Sequence, residues 1–227
     1  LPWAADNLNW NAPWLSVPFA FATVMTTVMT LVTVVNHWDY SEPERRPVPE
    51  GDEPEVAVII PTHGEPAEMV HRTARSVLEQ NYPLNRLKLV VSDDGHRPAI
   101  RTLVEQVRKT YPGASVVYHE PPGKNDPARR GEAKAGNLNS ALEAVEAGES
   151  PPPFVETRDA DDLVGDSDFL RQAVGQLEAN PDVAFVQTIK EADVSPGDPF
   201  GNLEPLFYRK AMLAKNSANA VFPCGSG

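Results

Sequence analysis

The sequence predicts an α/β fold: a mostly parallel sheet with helices on both faces, preceded by one transmembrane helix. Three observations predict it. A charge-free apolar stretch runs from Trp14 to Asn36. From Glu55 onward, short apolar runs alternate with amphipathic segments. The residues just after several of those runs are rich in carboxylates, as expected where strands of a parallel sheet end at a ligand crevice.

The elements follow in order. Residues 1–13 form an upstream flank, and 14–38 read as the transmembrane helix. No Asp, Glu, Lys or Arg occurs between Asp6 and Asp39, and roughly 23 residues suffice to cross ~30 Å of hydrocarbon. Trp10, Trp14, Trp38 and Tyr40 stand at its ends, where amphipathic rings favour the membrane interface. A buried hairpin is the alternative, because the segment holds five Thr and many Val. Residues 39–54 read as a Pro-rich, charged linker that can sustain neither helix nor central strand. Arg45 and Arg46 after the apolar span point to a cytoplasmic side. Residues 55–227 read as the globular domain. Its strands are expected at Val56–Ile60, Leu87–Val91, Ser115–Tyr118, Phe154–Val155 and Val183–Val186. Its helices are expected at Glu68–Gln80, Pro98–Thr110, Ala133–Ala147 and Asp166–Asn180. Alternating strands and helices imply parallel pairing with both faces covered.

At 227 residues the chain can hold one sizeable core plus an attached segment. A net charge of -12 and a pI near 4.8 argue against attraction to nucleic acid or anionic lipid. An anionic ligand must therefore be held locally, by a metal, a few placed cations or backbone amides. The single cysteine, Cys224, excludes an intrachain disulfide framework and fits a reducing compartment. The chain reads as a fragment of a longer protein, since it begins without Met and stops at Phe222-Pro223-Cys224-Gly225-Ser226-Gly227.

The densest chemistry lies in Val155-Glu156-Thr157-Arg158-Asp159-Ala160-Asp161-Asp162. In an extended segment Asp159 and Asp161 leave on the same face and can share one ion. Hard oxygen ligands suit Mg²⁺ or Mn²⁺, which bind through one or two carboxylates plus substrate phosphates. A solvated Asp-rich turn is the alternative for this stretch alone. Two further strand ends carry carboxylates, Pro61-Thr62-His63-Gly64-Glu65 and Ser92-Asp93-Asp94-Gly95. The Gly-x-Gly-x-x-Gly turn of a dinucleotide site and the Walker lysine are both missing. Lys134 opens a helix whose amides also favour an anion, and Gly136 lets backbone approach closely.

Together these residues resemble a known family. Pro61-Thr62-x-x-Glu65, Asp93-Asp94-Gly95, Lys134-Ala135-Gly136-Asn137-Leu138-Asn139, Asp159-Ala160-Asp161, Val186-Gln187-Thr188 and Phe222-x-Cys224-Gly225-Ser226 resemble the family 2 glycosyltransferases. The likeness is strongest to the bacterial cellulose synthase-like membrane enzymes. It implies a GT-A, Rossmann-like domain using an activated sugar, usually a UDP-sugar, with Mg²⁺ or Mn²⁺. On that reading Thr62, Glu65 and Asp93 line the nucleoside pocket, and Lys134 contacts the nucleotide or its diphosphate. Asp159 and Asp161 form the DxD motif, with Asp161 the direct metal ligand and Asp159 also positioning the donor. Asp162 falls outside the motif. Cys224, Gly225 and Ser226 would lie where the acceptor sugar approaches.

The chemistry fits that assignment. Transfer from a diphosphate expels a doubly charged leaving group, which a metal stabilises. One-step inversion also needs a carboxylate base for the acceptor hydroxyl. The resemblance places that base in a Thr-Glu-Asp-like motif beyond Gly227, and the Gln-x-x-Arg-Trp motif of processive members is absent from this stretch. His63-Gly64 departs from the aromatic residue and Asn of many relatives, whereas His71, His96 and His119 show no metal-ligand spacing.

The resulting expectation is a hexosyltransferase at the inner (plasma) membrane with its catalytic domain cytoplasmic, where nucleotide-sugars are. Its partners would be a UDP-sugar, a glycan acceptor and the membrane, with no nucleic acid, and its product a β-glucan or similar polysaccharide. Two other readings stand beside it. A sugar nucleotidyltransferase would favour a basic, Gly-rich loop where Thr62-His63-Gly64-Glu65 stands. A non-catalytic module would bind nucleotide-sugar or a partner without chemistry.

Overall fold

The computed structural model describes residue 6, residues 8–38 and 44–188, and residue 190. The chain divides into two compact units, one holding the N-terminal helix and the other spanning Arg45–Ala184.

Helix α1, Pro13–Trp38, is a single 26-residue helix. Within it Pro13–Val35 is long and apolar enough to cross a membrane. Phe19, Phe21, Met29 and Leu31 are exposed on its surface. The five threonines are held in one pattern. Thr23, Thr26, Thr27, Thr30 and Thr33 each donate their hydroxyl to the carbonyl four residues back, at 2.8–2.9 Å.

The second unit is built on four parallel strands: β1 (Val56–Thr62), β2 (Leu87–Asp93), β3 (Ser115–His119) and β4 (Phe154–Thr157). Their spatial order is β3-β2-β1-β4. β1 aligns with β2 from Val56 opposite Leu87 to Thr62 opposite Asp93, and with β4 from Val56 opposite Phe154 to Ile59 opposite Thr157. Four helices connect or flank them: α2 (Ala67–Leu78), α3 (Pro98–Thr110), α4 (Ala133–Glu146) and α5 (Phe169–Ala179).

The period-2 alternation of the strands divides the core into two layers. Val56, Val58 and Ile60 of β1, with Leu87, Leu89 and Val91 of β2, face α2, α3 and α5 through Val70, Val77, Ile100, Val104, Leu170 and Val174. Ala57, Ile59 and Val90 face α4 through Ala141 and Val145. Every residue of β1 is buried, which is why it reads as a continuous apolar run. Burying one such side chain contributes about 1.5–3 kcal/mol. α3 begins with Pro98 in its first turn, where proline's missing N–H costs nothing.

One feature differs from the sequence reading. The strand expected at Val183–Val186 is not formed, and Phe185 is 76% exposed. Four apolar residues pair only if a strand edge meets them, and no ladder partner stands opposite them among the described residues. Residues 46–53, read as part of a linker, lie against α5. Val48 is buried, its N–H bonds the Arg171 carbonyl at 3.0 Å, and Arg171 bonds back to the Val48 carbonyl at 2.7 Å. Arg171 also pairs with the buried Glu53 at 2.8 Å. Proline-rich backbone can dock this way because its hydrogen bonds go to neighbouring elements rather than to itself.

Candidate active site

The chain order reverses between β1 and β4, the switch point at which open parallel sheets bind ligands outside their carboxyl ends. Beyond β4 the Arg158 N–H bonds the Ile59 carbonyl at 3.0 Å, extending the ladder by one step. The chain then turns, closed by the Asp162 N–H on the Asp159 carbonyl at 3.0 Å. This corrects the extended geometry expected for the motif: a turn gathers the acids, and it includes Asp162. One carboxylate oxygen from each of Asp159, Asp161 and Asp162 lies within 4.8 Å of the others. Such a hard, all-oxygen donor set fits Mg²⁺ or Mn²⁺.

The acidic turn is supported from beneath. Thr73 of α2 donates to the Ala160 carbonyl at 2.7 Å, and Ser76 accepts from the Val164 N–H at 3.1 Å. Arg158 is buried, pairs with Glu156 at 2.5 Å, bonds the Asp162 carbonyl at 3.3 Å and stacks 4.8 Å above the Phe169 ring. Burial pushes the Glu156 carboxyl up, while Arg158 beside it pulls the other way. From the far side of the crevice Lys134 pairs with Asp159, so the structure brings the lysine and the acidic pair predicted from sequence together.

A second cluster ties the ends of β1 and β2. Glu65 accepts from the Thr62 hydroxyl at 2.7 Å and from the His63 and Gly64 N–H groups at 2.7 and 3.1 Å. Partial burial would raise its pKa, but those three donors and the amide of Glu65 itself outweigh it and hold the carboxyl down at about 2. Asp93 is fully buried. Its oxygens accept from Gly95 N–H at 3.2 Å, Arg97 N–H at 2.5 Å, Arg97 Nε at 3.1 Å and Tyr118 Oη at 3.3 Å. Burial first, and then the Asp93 charge, push the Tyr118 phenol up to about 12, so it remains a donor. Arg97 also donates to Thr62 Oγ1 at 2.7 Å and to the Glu65 carbonyl at 2.6 Å. Thr62, Glu65 and Asp93 therefore form one network with Arg97 at its centre.

The third cluster anchors α4. Arg129, its side chain buried, clamps Asp94 with two bonds at 2.6 and 3.2 Å and donates to the carbonyls of Pro122 and Ala133. Ala133 has φ of 44°, a strained left-handed conformation for a residue with a side chain. A Cβ on Gly136 would stand 2.3 Å from the Gly131 carbonyl oxygen and 2.6 Å from Arg129 Nε, so only glycine fits. Asn137, also buried, bonds the Ser92 hydroxyl and the carbonyls of Ser92 and Thr62 at 3.0 and 3.4 Å. The Ala-Gly-Asn run thereby fastens the first turn of α4, and Lys134 with it, to the ends of β1 and β2.

Sequence reasoning gave Arg97 and Arg129 no role and left Asp162 out. Arg97 carried a usable signal, four residues after Asp93 and just before the proline that opens α3. Arg129 is separated by 35 residues from the carboxylate it clamps, and nothing local marks it. His63 lies 3.6 Å from Asp94. His96 and His119 bond the Pro121 carbonyl and the Ser140 hydroxyl, each at 2.9 Å. Cys224, Gly225 and Ser226, expected at the acceptor side, lie outside the described residues.

A GT-A-like sheet carrying a lysine and an acidic turn at its switch point defines a class of sugar-transferring folds. The sequence model of glycosyl transferase family 2 matches residues 57–227, and the chain belongs to that family. It is 30% identical over 229 residues to the UDP-forming cellulose synthase catalytic subunit of Pseudomonas fluorescens (strain SBW25), covering 94% of this chain and 28% of that protein. It is 28% identical over 236 residues to cellulose synthase 2 of Novacetimonas hansenii, covering 97% of this chain and 13% of the relative. The chain thus spans less than a third of the length of these curated relatives. Among solved structures, a mannosyltransferase from Pyrobaculum calidifontis in complex with GDP-Man and Mn²⁺ matches with a TM-score of 0.55 and 26% identity, over 87% of this chain and 51% of that one.

Proposed function

We propose that this chain forms the donor-binding part of a membrane-anchored, inverting glycosyltransferase. It would move a sugar from a nucleotide-sugar, most simply a UDP-sugar, to a growing polysaccharide of the β-glucan type. The observation that carries this reading is the meeting of Lys134 with the turn of Asp159, Asp161 and Asp162 at the β1/β4 switch point. Kinship with UDP-forming cellulose synthases supports the UDP-sugar and the glucan. The GDP-Man and Mn²⁺ held by the similar mannosyltransferase support a nucleotide-sugar and a divalent cation.

Asp159 and Asp161 would hold Mg²⁺ or Mn²⁺. When bound, the cation would neutralise negative charge developing on the departing diphosphate. Lys134, fixed to the first turn of α4, places a positive charge beside the same oxygens, and the opening amides of that helix favour an anion. The Thr62, Glu65 and Asp93 network shapes the nucleoside end. Helix α1 would anchor the enzyme in the inner membrane with the sugar-transferring domain on the cytoplasmic side, where nucleotide-sugars occur. A glycan acceptor would approach from the side expected to hold Cys224, Gly225 and Ser226.

Calorimetric titration of the protein with UDP, with and without Mn²⁺, tests this. UDP should bind with Mn²⁺ present, and Asp161→Ala should weaken that binding at least about tenfold, the loss of a charge-assisted interaction. Unchanged binding in Asp161→Ala would remove Asp161 from the site. Absence of binding to the folded protein would remove the donor assignment altogether.

A further inference from the structure

We propose that Thr73 and Ser76, two hydroxyl-bearing residues of α2, are positioning residues that set the affinity of the acidic turn for a divalent cation. The proposal rests on the divalent-cation part of the reading above.

The buried side of α2 is formed by Val70, Thr73, Ala74, Val77 and Leu78. Among these five, Thr73 alone carries a polar group, at a place where helical spacing calls for an apolar one. It is fully buried. A hydroxyl at such a place destabilises the fold unless it is hydrogen-bonded. The ordinary partner for a threonine within a helix is the carbonyl four residues back, which is where the five threonines of α1 donate. Thr73 donates elsewhere, at 2.7 Å to the Ala160 carbonyl, 87 residues away in the chain.

Ser76 stands three residues further along the same helix, where side chains share a face. It donates to the Thr73 carbonyl at 2.8 Å and accepts from the Val164 N–H at 3.1 Å. The two hydroxyls thus grip the chain at 160 and at 164, with Asp161 and Asp162 between the grips. Ala160 is itself buried in the core, while Asp159 beside it is half-buried and Asp161 is exposed. The turn is pinned at Ala160, and around that point one oxygen from each of Asp159, Asp161 and Asp162 comes within 4.8 Å of the others.

Carboxylates this close repel one another, and a turn free to relax would spread them. Mg²⁺ in particular demands near-ideal coordination geometry. Ordering that is completed when α2 packs against the turn need not be repeated when the cation arrives, so it appears as affinity. Both bonds go to backbone atoms of the turn, and the hydroxyls therefore act through its shape.

Mn²⁺ binding to the full chain, read by electron paramagnetic resonance with and without UDP, tests this. Thr73→Val keeps the shape of the side chain and removes the hydroxyl. Thr73→Ser keeps the hydroxyl and removes a buried methyl, which opens a small cavity. Packing and positioning thus predict opposite orders for the two variants. The expected result is a loss of Mn²⁺ affinity of about three- to tenfold in Thr73→Val, the worth of one hydrogen bond, with Thr73→Ser within about twofold of the unaltered protein. Unchanged affinity in Thr73→Val, or a loss in Thr73→Ser as large as in Thr73→Val, overturns the proposal and leaves the cation site standing. Should Thr73→Val fail to fold, Ser76→Ala decides: a loss of about threefold or more supports the proposal, and unchanged affinity overturns it. Failure of the unaltered protein to bind Mn²⁺ under either condition overturns the divalent-cation reading and this proposal with it.

Discussion

Glu65 shows how three short hydrogen bonds set the charge of a side chain that is only partly buried. The Thr62 hydroxyl and the amides of His63 and Gly64 all point at one oxygen, and ionisation is what rewards them. The folded pKa, about 2, lies below the ordinary 4.5. A depressed acid stabilises the fold above its unfolded pKa, and that contribution disappears as pH falls from about 4.5 through about 2. Glu65→Gln should therefore be less stable than the unaltered protein near neutrality. The difference, measured by urea denaturation across that acidic window, should close as the pH drops. A gap that stays constant would mean that packing, not ionisation, makes the contribution.

Among the elements, α5 makes the case for a backbone-to-backbone approach. Gly175 sits in mid-helix, where alanine would ordinarily be better by about 1 kcal/mol. Here a Cβ would stand 1.8 Å from the Arg46 carbonyl oxygen, so the 46–53 segment can lie on the helix only because the side chain is missing. Gly175→Ala should destabilise the domain by about 1–2 kcal/mol net of propensity. It should also speed hydrogen exchange of the Val48 amide, which bonds the Arg171 carbonyl. Elements of this kind divide sharply in how far they can be read in advance. α3 is legible end to end, because Pro98 marks its start and Ile100, Leu103, Val104 and Val107 repeat at helical spacing. β1 and β2 are legible because both faces are buried, although Pro61 and Thr62 read as loop and belong to the strand. The acidic turn is legible as chemistry, yet its inclusion of Asp162 depends on the Asp159 to Asp162 hydrogen bond, which side-chain spacing does not encode. Arg129 was hidden for a related reason: its choice of Asp94, 35 residues away, is made only once β2 and α4 meet, whereas Arg97 stands only four residues after its partner Asp93.

At the scale of the whole molecule, charge and hydropathy are separated along the chain. The protein is strongly acidic, so an anionic ligand has to be held by local groups rather than drawn in by a general field. Among the described residues, the exposed large apolar side chains are concentrated in α1, and a bilayer is the occupant we propose for them. Full-length protein should stay with the membrane fraction through alkaline carbonate washing. Replacing Val24 and Val28 by Lys, at a cost of about 2.5–3.5 kcal/mol for each charge near a helix centre, should release it. Retention of the doubly charged variant would show that another part of the protein makes the attachment. The threonines of α1 bear on the same point. Threonine has the shape of valine, with an oxygen in place of one methyl, and its hydroxyl hydrogen is what makes it unwelcome in oil. In this helix every one of those five hydrogens is already turned inward onto a backbone oxygen. To a surrounding acyl chain, the five threonines present themselves as five slightly polar valines.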